Sequence, residues 1–275
     1  MTITTTAPPA LAPRRVQVHP VTQRRVLKLE WVKFTTLRST WIALAIAVVG
    51  MIAVGGLASW AIASRWSHLD IGERLTFSPI SQSLTGVYLS QLVVGVLGVL
   101  IISGEYSTGM IRATLAAVPR RLPVLWAKLM VFSSVTFVSM LVAALVSFEV
   151  GQAFLGSHGT TLSAPNALRS VLGVAVYLTL VATIAVCAGF IVRSTAGGIA
   201  SVVGLIIVLP ALAHVLPQSW QQNYVPYLPS NAGGALYTIH PDPGTLSPWA
   251  GFFVMCAWAA AFLIGAVVLL KRRDA

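Results

Sequence analysis

The stretch GEYSTGMIRATLAAVPRRLPVLWAK, residues 104–128, lies between two apolar runs that are each long enough to cross a bilayer. It is too short to be a domain and too regular in its pattern to be a linker. Its charged residues are one acid, Glu105, and four bases, Arg112, Arg120, Arg121 and Lys128. A polar, helix-compatible segment at an internal turn of a membrane protein indicates a surface that a partner contacts.

Apolar runs make up most of the chain. Of its 275 residues, 56% are hydrophobic and only 9% are charged, which is far more apolar than a soluble domain. About 20 consecutive apolar residues cross the hydrocarbon core of a bilayer. Six runs without Lys or Arg meet this condition: 41–63, 82–103, 129–154, 170–192, 196–216 and 249–270. The sequence therefore predicts an all-α, polytopic membrane protein with six transmembrane helices, of which the fifth is interrupted near its end by Pro210.

The net charge of +11 is divided unevenly between the two sides of the predicted membrane. With the N-terminus inside, 15 of the 18 basic residues lie in cytoplasmic segments, and only Arg65, Arg74 and Arg169 lie outside. This positive-inside asymmetry predicts that both termini are cytoplasmic, in a cell (inner or plasma) membrane. Because the lipid bilayer accounts for the charge, no nucleic-acid partner is expected.

The segments outside the spans have distinct patterns. Residues 1–20 are rich in Thr and Pro and are predicted to form a disordered cytoplasmic tail. Residues 271–275 are predicted to form a short cytoplasmic tail. Residues 21–40 predict an amphipathic interfacial helix on the inner leaflet, with Trp31 and Phe34 on an apolar side that Glu30 and Arg38 interrupt. The long outer loop 217–248 contains six prolines, so only short helices are expected, around 218–224 and 230–237.

The central segment is divided by its Gly and Pro residues. Gly109 permits a turn, and a short helix over 110–118 is predicted to follow. The apolar residues of that helix recur at i, i+4 and i+7 as Ile111, Leu115 and Val118. Pro119 ends the helix and Pro123 can begin the next one, which continues into the third span. We therefore predict a short cytoplasmic helix across the inner face, between spans two and three.

At these residues the sequence resembles the membrane subunit of ABC-type-2 transporters. The family pattern, a Glu at the end of span two followed by Gly, Arg, Leu, Pro, a basic pair and Lys, is matched by Glu105, Gly109, Arg112, Leu115, Pro119, Arg120, Arg121 and Lys128. The stretch LEWVKFTTLRSTW, residues 29–41, is similar to the family's first helix, and YLPSNAGGAL, residues 227–236, to its last outer loop. The resemblance extends from about Arg24 to the end of the chain.

The resemblance implies a function for residues 104–128. In this family the segment contains a coupling helix that docks on a separate ATPase subunit, and two permease subunits, identical or different, assemble with two ATPases. Glu105 and Arg112 would hold the coupling helix in register, unless Glu105 is only a capping or surface carboxylate. Arg120 and Arg121 would contact the ATPase or lipid phosphates, unless their charge only sets the topology.

The sequence contains no G-x-x-x-x-G-K-[ST] loop to hold phosphates. We therefore expect this chain to be a transport subunit and not an enzyme, with ATP and Mg bound by the partner ATPase. No cofactor, catalytic residue or metal site is expected on the chain itself, because no two of its five His residues are spaced as ligands on one helix face.

Two further features point to the transport pathway. Glu149 is the only acid within a predicted span, and intramembrane carboxylates are functional candidates. It is expected to meet either a cationic or polar substrate or interfacial water. Ala196, Ala200 and Gly204 form a stripe of small residues at four-residue spacing, which predicts either a dimer contact or close packing within the subunit.

The leading interpretation is the permease subunit of an ATP-driven exporter that works as a dimer. Its apolar spans favour a hydrophobic or amphiphilic cargo such as a drug, a lipid or an antimicrobial peptide. The alternative is an ATP-independent secondary transporter or channel, which would be expected to have several charged residues or helix breakers near the membrane midplane. The predicted spans contain only Glu149 and Pro210 of this kind, both displaced outward.

Overall fold

The computed structural model describes residues 22–118, 121–213, 215–239 and 244–272. The predicted tail at 1–20, Pro119, Arg120 and most of the tail at 271–275 lie outside these residues. The described helices are, in chain order, α1 Gln23–Thr36, α2 Arg38–Ser64, α3 Ile71–Thr76, α4 Pro79–Ser83, α5 Val87–Ser107, α6 Met110–Ala117, α7 Leu122–Leu155, α8 Ala167–Val192, α9 Thr195–Val203, α10 Leu209–Ala213, α11 Gln218–Asn223, α12 Pro229–Gly234 and α13 Pro248–Arg272. The described ranges contain no strand, and the all-α prediction is confirmed.

Six helical stretches of the described chain are long and apolar enough to cross a membrane, which confirms the predicted number. They are α2, α5, α7, α8, the stretch from α9 to α10, and α13. Helix α7 has 34 residues and is therefore about 51 Å long, against a hydrocarbon core of about 30 Å. It is therefore longer than the hydrocarbon core is thick, and Glu105 and Lys128 lie near the neighbouring ends of the spanning helices α5 and α7.

Helices α1 and α2 run along α7 in the same direction, separated by the extended residue Leu37. A carboxylate oxygen of Glu30 lies 2.7 Å from the Lys128 ammonium, and the Phe34 ring centroid lies 6.3 Å from that of Phe132. Further along, the hydroxyl of Ser147 donates a hydrogen bond to the Met51 carbonyl at 3.0 Å. The nearly constant sequence offset between these partners shows that both helices follow α7.

The side of α1 that faces the protein differs from the predicted apolar side. Helix α1 buries Val26, Glu30 and Phe34, whereas Trp31 is 48% exposed and Arg38, the first residue of α2, is also exposed. Glu30 therefore lies on the buried side of α1, because its carboxylate pairs with the Lys128 ammonium inside the protein. That α1 lies on the inner leaflet stays a prediction.

The second predicted span is broken at its outer end. Helix α4 ends at Ser83 and α5 begins only at Val87. At the junction, a Cβ on Gly86 would lie 2.1 Å from the Met51 carbonyl oxygen, so only glycine lets α5 start against the backbone of α2. The buried Ser147 hydroxyl bridges the carbonyls of Met51 and Ser83, at 3.0 and 2.6 Å, and fastens α7 to this junction.

Pro210 shapes the fifth span. A π-helical turn at Gly204–Val208 separates α9 from α10. Because proline has no N–H and its ring excludes a normal preceding turn, a wider turn just before it relieves the conflict. The outer loop then forms α11 and α12, close to the two short helices predicted there.

The turns between the spans lie at two opposite ends of the molecule. At one end lie the α5–α7 connection, the α8–α9 turn and the last turn of α13, which are held together by contacts of Arg121 and Arg193. We call this the inner end and the opposite one the outer end, after the orientation that the charge distribution predicts.

Candidate functional site

Four charged side chains meet where α1, α5 and α7 converge at the inner end. The Lys128 ammonium lies 2.7 Å from Oε2 of Glu30 and 2.8 Å from Oε1 of Glu105. The Lys33 ammonium lies 3.1 Å from Oε1 of Glu30 and 3.0 Å from Oε1 of Glu105. Each acid thus contacts both bases and each base both acids. We call these four residues the ion cluster.

The ion cluster is largely withdrawn from water. The side chains of Lys128 and Glu30 are 3% and 4% exposed, that of Glu105 is 11% exposed, and that of Lys33 is 19% exposed. Removing one partner of a buried ion pair leaves an uncompensated charge and costs about 3–5 kcal/mol. Because two positive and two negative groups cancel, the intact cluster avoids this cost, and its stability depends on all three helices being in place together.

Lys33 keeps its charge at neutral pH. Burial disfavours the ammonium, but the neighbouring carboxylates of Glu30 and Glu105 outweigh that effect and raise the pKa of Lys33 above its ordinary value of 10.5. A raised pKa in the folded state means that the stabilisation is fully present below 10.5 and is lost only as the pH rises through the raised value. The Lys33 contacts therefore persist throughout the physiological range.

Lys33 also connects the ion cluster to α6. Its ammonium donates a hydrogen bond to the hydroxyl of Thr114 at 3.1 Å, and this hydroxyl donates to the Met110 carbonyl one turn earlier, also at 3.1 Å. Beside this contact lies a small apolar cluster, separate from the main core, in which α6 meets α1 and the start of α7. Its buried members are Val26, Ile111, Leu115, Val118, Val124 and Ala127. The apolar stripe of α6 thus faces the protein.

The opposite face of α6 is exposed. Gly109 begins the helix with a φ of +73°, which glycine adopts without strain. The exposed residues that follow are Met110, Arg112, Ala113, Ala116 and Ala117. This face combines one long apolar side chain and one cation with three small residues, so another protein surface can approach the helix closely.

A family model described as ABC-2 family transporter protein matches residues 26–213, which is more than half of the chain and includes the whole ion cluster. The chain belongs to the ABC-2 family of transporters. It is therefore a permease subunit of an ABC transporter and a multi-pass membrane protein. No curated protein matches the chain.

In this ABC-2 permease, two arginines join the inner turns to neighbouring spans. Arg121, just before α7, donates a hydrogen bond from Nη1 to the Leu270 carbonyl at 3.2 Å and so caps the end of α13. Arg193, in the α8–α9 turn, lies with Cζ 5.3 Å from the centre of the Tyr106 ring, within the range of a cation–π contact. The end of α5 and the start of α7, which flank α6, are thereby joined to neighbouring spans.

The residues predicted for coupling lie in different places. Glu105 and Lys128 are brought together in the ion cluster, and Leu115 is buried beside it. Arg112 lies on the exposed face of α6, not against Glu105, and Arg121 reaches α13. The roles of all these residues in coupling stay predictions.

The remaining predicted residues lie apart from the ion cluster. Glu149 on α7 is exposed. Ala196 and Ala200 are exposed on α9, and no atom lies within 4 Å of a Cβ placed on Gly204. Both predicted roles of this stripe, a dimer contact and close packing within the subunit, stay predictions.

The sequence interpretation missed Glu30, Lys33 and Thr114. A signal for the first two was present, because Glu30 and Lys33 have the i, i+3 spacing of a helical ion pair. Glu30 also lies on the apolar side of its helix, where an acid must find a cation to be buried. Thr114 carried no comparable signal.

We expect Lys128→Met to destabilise the permease by about 3–5 kcal/mol, because Glu30 and Glu105 would then share only Lys33. The thermal unfolding midpoint of the detergent-purified protein should fall accordingly. Adding Glu30→Gln should recover part of the loss, since it restores a neutral site. Lys271→Met, at an exposed position near the end of α13, is the matched control and should change the midpoint little. A Lys128→Met protein as stable as the parent would contradict the buried-charge argument.

Proposed function

We propose that this permease is the membrane subunit of an ATP-driven exporter in which a separate ATPase pushes on α6. The observation that carries the proposal is the two-sided character of α6. Thr114, Ile111 and Leu115 are buried against the rest of the protein, while Met110 and Arg112 lie on the exposed face of the helix. A helix of this kind passes a force from a docked partner to the spans.

The contacts supply a route for that force. Thr114 contacts Lys33 of α1 directly. Through Glu30 and Glu105, Lys33 is joined to Lys128 of α7 and to the end of α5. Because the ion cluster is stable only when complete, displacement of α6 moves three helices as a unit instead of breaking their contacts one at a time.

The partners follow from the family and from what the sequence lacks. ATP and Mg belong on the ATPase pair, because this chain has no phosphate-binding loop. A second permease subunit completes the transporter, with the stripe of Ala196, Ala200 and Gly204, of which the two alanines are exposed, as the proposed contact. The transporter resides in the cell membrane with both termini cytoplasmic. Its cargo is hydrophobic or amphiphilic, in keeping with the apolar spans.

The first test is co-purification of the permease with an ATPase whose ATP turnover depends on it. We expect Arg112→Glu to reduce this association and to uncouple ATP hydrolysis from transport, because the charge change falls on the exposed face of α6. Arg272→Glu, exposed at the end of α13, is the matched control and should leave both unchanged. A stable, transport-competent permease without any ATPase would instead establish the secondary transporter or channel.

A second prediction concerns the dimer. With Cys187 and Cys256 replaced by alanine, a cysteine introduced by Ala200→Cys should form a crosslink between two permease subunits in membranes. Val138→Cys is the control, since this exposed residue lies on α7, away from α9. Equal crosslinking at the two positions, or none at Ala200→Cys, would refute the proposed contact.

A third prediction concerns Glu149, whose exposed carboxylate at the outer part of α7 is proposed to meet cationic or polar groups of the cargo. Glu149→Gln should lower transport while expression and ATPase association stay at the parent level. Glu73→Gln, on the exposed helix α3, provides the matched loss of an outer carboxylate. Unchanged transport by a well-expressed Glu149→Gln protein would exclude the role.

A further inference from the structure

One stripe of α8 supports the segment that follows α11 at the outer end. Arg169, Gly173 and Tyr177 recur every four residues and therefore lie on the same face of α8. All three contact residues 229–239, which comprise α12 and the turn after it. We call residues 229–239 the outer segment.

Arg169 holds the carbonyl groups at the end of the outer segment. Its Nη1 donates to the carbonyls of Leu236 at 3.0 Å and Ala235 at 3.4 Å, and its Nη2 donates to that of Thr238 at 3.0 Å. Its Nε donates to the side-chain oxygen of Asn166 at 3.3 Å, which orients the guanidinium. These carbonyls lie just beyond the last turn of α12 and accept hydrogen bonds from the forked guanidinium, which therefore caps this end of the outer segment.

Close packing continues along the same stripe. A Cβ on Gly173 would lie 2.5 Å from the Leu236 carbonyl oxygen, and one on Gly233 would lie 2.1 Å from a ring carbon of Tyr177. The Tyr177 ring is fully buried, with its centroid 5.9 Å from that of Tyr237. Both glycines are therefore required for the outer segment to lie this close to α8.

The support for the outer segment also reaches α5. The Tyr177 hydroxyl donates a hydrogen bond to the side-chain oxygen of Gln91 in the second turn of α5. Glu105 of the ion cluster lies on the same helix, about 21 Å further along. Helix α5 thus contacts Tyr177, which supports the outer segment, near one end and contributes Glu105 to the ion cluster near the other.

The other side of the outer segment has independent attachments. The indole of Trp258 on α13 donates a hydrogen bond to the Tyr227 carbonyl at 3.0 Å, just before α12. A Cβ on Gly251 of α13 would lie 2.3 Å from the Ala232 carbonyl oxygen, so α12 packs tightly there too. Loss of the Arg169 contacts would therefore free the end near Leu236 and leave the start attached to α13.

We propose that Arg169 is the positioning residue that holds the outer segment closed over the outer end of α8, and that this cover lifts during export. The first part stands on the contacts of the outer segment alone. The second part rests on the proposed function, because it assigns the movement to the ATPase.

The test measures how fast a membrane-impermeant maleimide labels a Leu236→Cys reporter in the full-length protein, with Cys187 and Cys256 replaced by alanine. Leu236 is 9% exposed and its backbone lies over Gly173, so labelling reports release from α8. We expect Arg169→Gln to raise the labelling rate about tenfold or more, given the loss of charged hydrogen bonds. Arg169→Lys should give an intermediate rate, because an ammonium reproduces only part of the fork.

Two controls separate release of the cover from general loosening. Arg74→Gln removes another outer arginine, which donates to the Ser67 carbonyl within its own loop, and should leave the rate unchanged. Gly173→Ala keeps Arg169 but places a methyl group against the Leu236 carbonyl, so it should also raise the rate. Gly72→Ala, where a Cβ meets open space, should not. Labelling at the parent rate in Arg169→Gln would overturn the positioning role of Arg169, and labelling at the parent rate in Gly173→Ala as well would overturn the cover itself.

The role in export is tested in the complex with the co-purified ATPase. We expect ATP with vanadate to accelerate labelling of the Leu236→Cys reporter relative to the nucleotide-free complex. An unchanged rate would overturn the movement of the cover during export. This outcome differs from failure of the proposed function, in which no permease-dependent ATPase would be found at all.

Discussion

The inner end of the protein depends on one electrostatic constraint, the sharing of two ammonium groups by two carboxylates in a largely buried site. A lone buried charge is strongly unfavourable, and only a complete, neutral set compensates its neighbours. Glu30 comes from α1, Glu105 from α5 and Lys128 from α7, so each of these helices is fixed by the other two. The cluster thus defines a unit of structure that no single helix could form. Helix α6 joins the unit through Thr114 and a few buried aliphatic side chains.

This constraint explains why α1 and α7 are arranged as they are. Helix α7 is longer than the hydrocarbon core, and its first turns would leave Val124 and Lys128 in water if they stood alone. Helix α1 covers them by following the same direction, with Glu30 at the level of Lys128 and Phe34 at the level of Phe132. Apolar and ionic contacts therefore alternate along one interface. Together these contacts extend the packing of the membrane region to the surface at the inner end where α6 lies.

The sequence predicted the elements well and the contacts between them poorly. The six spans follow from long apolar runs, and α6 and the start of α7 follow from Gly109 and Pro123, since these residues act on the backbone locally. The inward direction of Glu30 was not predicted, because a helical wheel assigns charges to water unless a partner is known. That partner, Lys128, is distant in sequence, and its position depends on how α7 packs. The break before Val87 likewise depends on the approach of α2 to Gly86, which no local pattern contains.

The inner and outer ends of the permease differ in the kind of interaction that holds them, and in the proposed transport cycle this difference would decide which end opens first. At the inner end, the charges of Glu105 and Lys128 are buried where water cannot replace a lost partner. At the outer end, Arg169 is only partly buried and its acceptors are neutral carbonyls, which water can satisfy once the contact opens. A displacement that strains both ends should therefore separate the outer contacts first. In the proposed cycle the inner helices would then move as a unit, and the outer segment would be the part that yields.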